Sequence, residues 1–75
     1  MRYIAKKEYK RYSKVGNTLL WRCENGDKID VERVGNSNLI KIINRNEKCD
    51  AIFDEMFINI NDYDQFKNGY LKSIK

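Results

Sequence analysis

Few side chains in this chain have the chemistry that catalysis requires. The 75 residues include no histidine, so the commonest general base and the commonest zinc ligand are both absent. The aliphatic hydroxyl side chains are those of Ser13, Thr18, Ser37 and Ser73. Without an imidazole, a hydroxyl nucleophile needs a lysine or a carboxylate as its base. We therefore expect a protein that is not an enzyme.

The two cysteines are also poorly spaced for chemistry. Cys23 and Cys49 lie 26 positions apart, so the chain has no CxxC pair. Two lone cysteines cannot hold a structural zinc ion without carboxylates or a second chain. We expect ordinary free thiols, buried or half-buried, and a disulfide or a metal or redox role remains the alternative.

A group of carboxylates lies within residues 50–66, which contain no basic residue. Carboxylates bind Mg²⁺ or Ca²⁺, but this spacing lacks the glycine pattern of an EF-hand. Glu8-Tyr9-Lys10 has no upstream Asp, so the nuclease arrangement of Asp followed by Glu-x-Lys is absent as well. We expect neither a metal nor a cofactor. The acidic residues of this group are Asp50, Asp54, Glu55, Asp62 and Asp64.

The strongest functional feature is a basic and aromatic amino-terminal segment. Residues 1–14 hold six basic side chains against Glu8 alone, giving +5, whereas the whole chain carries +4. Lysine and arginine neutralise phosphates, and tyrosines stack on exposed bases. The alternative is a solvated amphipathic helix whose tyrosines pack on the core. The candidate contact residues for nucleic acid or a partner are Arg2, Lys6, Lys7, Tyr9, Lys10, Arg11, Tyr12, Lys14 and Arg22.

The carboxyl-terminal pattern predicts the element with the clearest periodicity. Tyr63, Phe66, Tyr70, Leu71 and Ile74 recur at helical spacing. We expect an amphipathic helix over 62–73, capped by the residue at 61 or 62 and weakest at the glycine at 69.

The middle of the chain is typical of β-structure. Thr18–Glu24 alternates between apolar and polar residues, and Asn25-Gly26-Asp27 is a hairpin turn signal. Pairing 24 with 28 gathers most apolar side chains on one face, so we expect Trp21 opposite Val31. The position of Trp21 between two apolar residues favours core packing over an exposed contact.

Further elements complete the predicted architecture. Leu39–Asn44 is predicted as a strand after a turn at 35–38, and a strand is favoured over a helix for Glu55–Ile60. The spacing of Met1, Ala5, Tyr9 and Tyr12 favours a short amino-terminal helix and leaves a strand open. The prediction is one α+β domain over 1–75. It contains a small antiparallel sheet of three to four strands, with the carboxyl-terminal helix packed on one face.

A partial family resemblance accompanies this pattern. Trp21-x-Cys23-x-x-Gly26, Asn38-Leu39 and Cys49 lie in an order that resembles small phage-type domains related to AP2 DNA-binding modules, over about 30 residues. Those domains carry two cysteine pairs around an asparagine-leucine turn. Here the partner positions are Asn25 and Ala51, so the resemblance implies no zinc site. It implies a three-stranded sheet with a packed helix, used for DNA contact.

Two functional hypotheses follow from size, charge and coding bias. Ten Lys, nine Asn and nine Ile indicate an A/T-rich genome, such as that of a low-GC bacterium or its phage. No apolar run is long enough for a membrane span or a signal segment, so we expect a cytoplasmic protein without a membrane partner. The first hypothesis is a phage or mobile-element regulator or inhibitor that docks on a host protein, itself capable of homodimerisation. The alternative is a nucleic-acid-binding protein that uses the basic amino-terminal segment.

Overall fold

A computed structural model describes residues 2–46 and 50–74, which form seven strands and one helix. In chain order the elements are β1 (Arg2–Ala5), β2 (Tyr9–Tyr12), β3 (Leu19–Cys23), β4 (Lys28–Arg33), β5 (Leu39–Asn44), β6 (Glu55–Asn59), α1 (Ile60–Tyr70) and β7 (Leu71–Ser73). Strands β6-β5-β4-β1-β7, in that spatial order, form an antiparallel sheet, and β2 pairs with β3 in a second sheet. The α+β prediction is therefore confirmed, but the main sheet is larger than predicted.

The amino-terminal segment forms strands, so the prediction of a short helix there is wrong. Strand β1 lies inside the sheet, between β4 and β7. Tyr3 and Ala5 face the core, and Ile4 between them faces the opposite side of the sheet. Pairing on both edges gives the backbone of β1 its hydrogen-bond partners. This tertiary pairing outweighs the local helical spacing.

The turn after β3 is confirmed, whereas the hairpin predicted around it is wrong. The Asp27 amide donates to the Glu24 carbonyl at 3.0 Å, and Gly26 adopts a φ of 98°. The chain then passes from the small sheet to the large one, where β4 pairs with β1 and β5. Trp21 consequently lies opposite Arg11 instead of Val31. The alternation identified the buried face correctly but carried no information about the neighbouring strand.

The turn at 35–38 and the two later strands, β5 and β6, match the prediction closely. The Val34 amide donates to the Leu39 carbonyl at 3.1 Å, which closes the turn at 35–38. Strand β5 has the predicted bounds. Strand β6 ends at Asn59, and Ile60 already belongs to α1.

The helix begins and ends earlier than predicted. Its amino-terminal cap is Asn59, whose side chain accepts from the Asn61 amide at 2.9 Å. The predicted last turn instead leaves the helix as β7, with Leu71 opposite Ala5. Leu71 is buried either way, so its position in the apolar pattern did not distinguish the two conformations.

The core lies between the inner face of the large sheet, α1 and the small sheet. Trp21 is buried, as predicted, and its Nε1 donates to the Asp54 carbonyl at 2.9 Å. Cys23 is a buried thiol whose Sγ donates to the Lys7 carbonyl at 3.8 Å, whereas Cys49 lies outside the described residues. Burial raises the pKa of the Tyr63 phenol, and a hydrogen bond with Tyr3 raises it further.

Candidate binding surfaces

The fold distributes the predicted contact residues over several surfaces. Arg2 lies on the solvent face of the large sheet, and Lys6 and Lys7 lie in the connection between β1 and β2. Lys10 is exposed on β2, and Lys14 lies in the connection from β2 to β3. The basic amino-terminal segment therefore does not present its cations on a single strand or face.

Tyr9 contributes to the core. Its ring lies 5.2 Å from that of Phe66 and 5.0 Å from that of Tyr70, both in edge-on geometry. Tyr12, after a bulge in β2, is about half exposed (51%). Of the tyrosines in the predicted contact set, Tyr12 is thus the more accessible.

Arg22 lies in a group with more acidic than basic side chains. Its guanidinium forms ion pairs with Glu24 and, at 3.1 Å, with Asp50, while Glu8 lies 3.9 Å away. Lys10, opposite Arg22 across the small sheet, lies 3.7 Å from Glu8. Two cations thus face three carboxylates, a net charge of −1. The outer face of the small sheet is not a basic surface.

The solvent face of the large sheet carries positive charge instead. Lys28 on β4 and Lys72 on β7 both lie opposite Ile4, because these two strands flank β1. The Arg45 amide donates to the Lys28 carbonyl at 3.0 Å, which extends this row beyond β5. Arg2 and Asp30 form the adjacent row. A cleft of about 420 Å³, here named the basic cleft, is lined by Arg2, Lys28, Asp30, Arg45 and Ile74.

Asp30 holds the two arginines of the basic cleft in place. One of its carboxylate oxygens lies 2.7 Å from Arg45 Nε and the other 3.5 Å from Arg2 Nε. Both arginines remain more than half exposed, whereas the Asp30 side chain is only 16% exposed. Together with Lys72, which lies two strands from Lys28 on β7, these cations and one carboxylate give this part of the sheet a local charge of +3.

Sequence reasoning found only Arg2 of this group. Lys28, Arg45 and Lys72 belong to three distant segments, and none of them lies in a basic run. Their juxtaposition follows from strand order, which the local pattern did not contain. The one available signal was alternation, which places Lys28 and Asp30 together, opposite to the buried Ile29.

A second surface lies at the β6 edge of the large sheet and is apolar. The Ile52 and Phe53 amides donate to the carbonyls of Leu19 and Leu20, at 3.1 and 3.0 Å, so this segment runs beside β3. Ile52 and Phe53 are both more than half exposed, and Phe57 on β6 is 46% exposed. We name Leu20, Ile52, Phe53 and Phe57 the apolar edge patch.

A groove of about 350 Å³ opens within the apolar edge patch. Trp21 and Met56 line it from the core, and Arg11 and Glu55 line it with polar groups. Arg11 Nη1 donates to the Phe57 carbonyl at 3.0 Å, so this predicted contact residue crosses from β2 to β6. The arrangement is an apolar depression with an arginine at its border.

Within residues 2–46 and 50–74, no helix has the length and apolar character to cross a membrane. The same residues contain no cluster of three or more side chains suited to metal ligation.

Comparisons with known proteins assign no function to these surfaces. No family model matches the chain, and neither a curated protein nor a solved structure shows a significant match. The resemblance to AP2-related domains therefore has no support from these comparisons.

Proposed function

We propose that this chain is a non-enzymatic binding protein that docks on a partner protein through the apolar edge patch. The observation that carries the proposal is the exposure of Phe53 and Phe57 at one groove, with the exposed Ile52 next to Phe53 in the chain. Exposing large apolar side chains together is costly in water, and clusters of this kind mark interaction sites.

The composition of the patch also suits a protein interface. Aromatic residues and arginine are enriched among the residues that contribute most to binding. Here Phe53 and Phe57 supply the aromatic groups, and Arg11 supplies the arginine at the border. A partner side chain that fills the groove would contact Trp21 and Met56 at its base.

The class of partner is proposed from the composition of the chain. A small protein from an A/T-rich genome, with no histidine, fits a phage or mobile-element regulator or inhibitor that acts on a host protein in the cytoplasm. A partner inserted at the groove gains affinity from apolar burial, so the interaction depends little on salt.

The patch is tested by photo-crosslinking followed by affinity measurement. A photoreactive phenylalanine analogue at position 53 captures the partner in host cells, and mass spectrometry identifies it. With the purified partner, the F53S/F57S variant is expected to bind at least about 30-fold more weakly, which is the loss of one interface hot spot of about 2 kcal/mol.

Val15 provides a matched control, since it is 86% exposed and does not line the groove. V15S is expected to bind like the unchanged chain. Equal affinity of F53S/F57S and V15S would contradict the proposal. Crosslinks to a second copy alone, with a dimer seen by sedimentation, would identify the patch as a homodimer interface instead of a host-protein site.

A further inference from the structure

We infer that the basic cleft binds the phosphodiester backbone of double-stranded nucleic acid. This inference rests on the solvent face of the large sheet and does not depend on the apolar edge patch. It also assigns the binding role to residues largely different from the amino-terminal segment that the sequence indicates.

The first argument is charge. Asp30 is shared between Arg2 and Arg45, and one carboxylate cannot neutralise two guanidinium groups. Among the described residues, no carboxylate lies within ion-pair distance of Lys28 or Lys72. The residues that line the cleft therefore carry a net charge of +2, and the neighbouring Lys72 raises the local charge to +3. The other groups with several ion pairs, around Arg22 and around Lys41, contain more carboxylates than cations.

The second argument is spacing. Arg45, Lys28, Ile4 and Lys72 form one row across four neighbouring chain segments. Adjacent strands lie about 4.8 Å apart, so the row spans roughly 14 Å. A single phosphate cannot contact all of these cations, whereas phosphates along one DNA strand follow one another at about 3.4 Å of helix axis. The length of the row therefore matches a polyanion that presents several phosphates one after another.

The third argument is the absence of aromatic side chains among the described residues that line the cleft. The described residues that line it are charged or aliphatic, and none is aromatic. Base stacking, which drives single-strand binding, therefore has no platform here. Duplex DNA carries one charge per roughly 1.7 Å of axis, so we expect it to bind more tightly than a single strand of equal length, and without sequence preference.

Orientation by Asp30 favours binding. A carboxylate that holds both guanidinium groups reduces the side-chain freedom lost when the cations meet phosphates. The Asp30 ion pairs also keep both arginines near Lys28, which lies two residues from Asp30 on β4.

The test is fluorescence anisotropy of a labelled 20-base-pair duplex between about 50 and 200 mM salt. We expect the K28Q/K72Q variant, which leaves both Asp30 ion pairs intact, to bind at least tenfold more weakly. Its log–log salt slope is expected to fall by about 1.8, since each lost phosphate contact removes about 0.9. The R2Q/K28Q/R45Q/K72Q variant is expected to lower the slope by about 3.6.

A variant with the same change in net charge separates site binding from general attraction. K6Q/K7Q/K10Q/K14Q also removes four cations, all of them from the amino-terminal segment, and is expected to lower the slope by less than 1. If the salt slope of this variant falls as much as that of R2Q/K28Q/R45Q/K72Q, or more, the assignment to the cleft is overturned. Tighter binding of a single strand, or competition by inorganic phosphate at constant ionic strength, would overturn the duplex backbone as its ligand. Thermal unfolding of each variant identifies any loss that is due to misfolding.

Discussion

At the scale of single residues, Asn44 is a buried polar side chain that connects the two sheets. Its Nδ2 donates to the Arg22 carbonyl at 2.8 Å and to Asp27 Oδ2 at 3.1 Å. Its side-chain oxygen accepts from the Asn46 amide at 2.9 Å. One amide thus joins the end of β5 to β3 and to the turn between the sheets.

Replacing Asn44 by Ala is expected to lower the free energy of unfolding by about 2 to 4 kcal/mol. The change removes the hydrogen bonds that the buried Asn44 side chain makes to β3 and to the turn between the sheets. Urea unfolding followed by Trp21 fluorescence measures the loss. Asn68→Ala, at an exposed position of α1, is the matched control and is expected to change stability by less than about 0.5 kcal/mol. Equal losses of unfolding free energy in the two variants would show that the hydrogen bonds of the Asn44 side chain do not stabilise the fold.

At the scale of elements, the end of α1 determines whether the last residues form helix or strand. Gly69 precedes the final helical residue, its φ is not positive, and a Cβ there would meet no atom within 4 Å. Gly26 is also uncrowded, but its φ of 98° belongs to a conformation that side chains rarely adopt.

These two glycines are expected to respond to alanine with opposite signs. Gly69→Ala is expected to raise the free energy of unfolding by about 0.5 to 1 kcal/mol, because alanine loses less backbone entropy in a helix. Gly26→Ala is expected to lower it by about 1 kcal/mol or more, because the turn between the sheets requires positive φ. Chemical denaturation of both variants measures the difference. Destabilisation by Gly69→Ala would mean that the helix end needs glycine itself.

Element type was more predictable than element pairing, and the reason is physical. The alternation of β3 and the β-branched residues of β5 are local properties, so strand type and the buried face followed from the sequence. The partner of β3 depends on the rest of the fold. That partner, β2, was not identified because the spacing of apolar residues in its segment also fitted a helix. Leu71 shows the same ambiguity at the other end of the chain, because it is buried as a strand residue where the helical pattern also required an apolar side chain.

At the scale of the whole molecule, strand order explains why the candidate surfaces were harder to predict than the fold. The basic cleft joins residues from β1, β4 and the segments that follow β5 and β7, so it exists only once the sheet is assembled. The apolar edge patch likewise needs residues 52–53 to lie beside β3. The amino-terminal cations were recognisable in the sequence because they lie within one short segment, but the fold spreads them over separate surfaces.

The same strand order places the two surfaces on different parts of the large sheet. The apolar edge patch borders β6 at one edge, whereas the basic cleft centres on β4 and β1, and the two share no lining residue. Strands β6 and β4, which carry Phe57 and Lys28, are two spacings apart, roughly 10 Å. Substitutions at such a distance, with no shared contacts, usually contribute additively.

We therefore expect the partner protein and duplex DNA to bind independently. F53S/F57S is expected to leave DNA affinity unchanged within about twofold, and K28Q/K72Q to leave partner affinity unchanged within the same range. In the quadruple variant, the loss of affinity for each ligand is expected to equal the loss in the corresponding double variant within about 0.5 kcal/mol. Calorimetric titration of the partner into DNA-saturated and DNA-free protein measures this directly. A partner that displaces DNA would contradict independence and would mean that the bound partner reaches across the sheet to the basic cleft. Such an outcome would make the molecule a switch between the two ligands, whereas independent binding would allow it to bring a host protein to DNA.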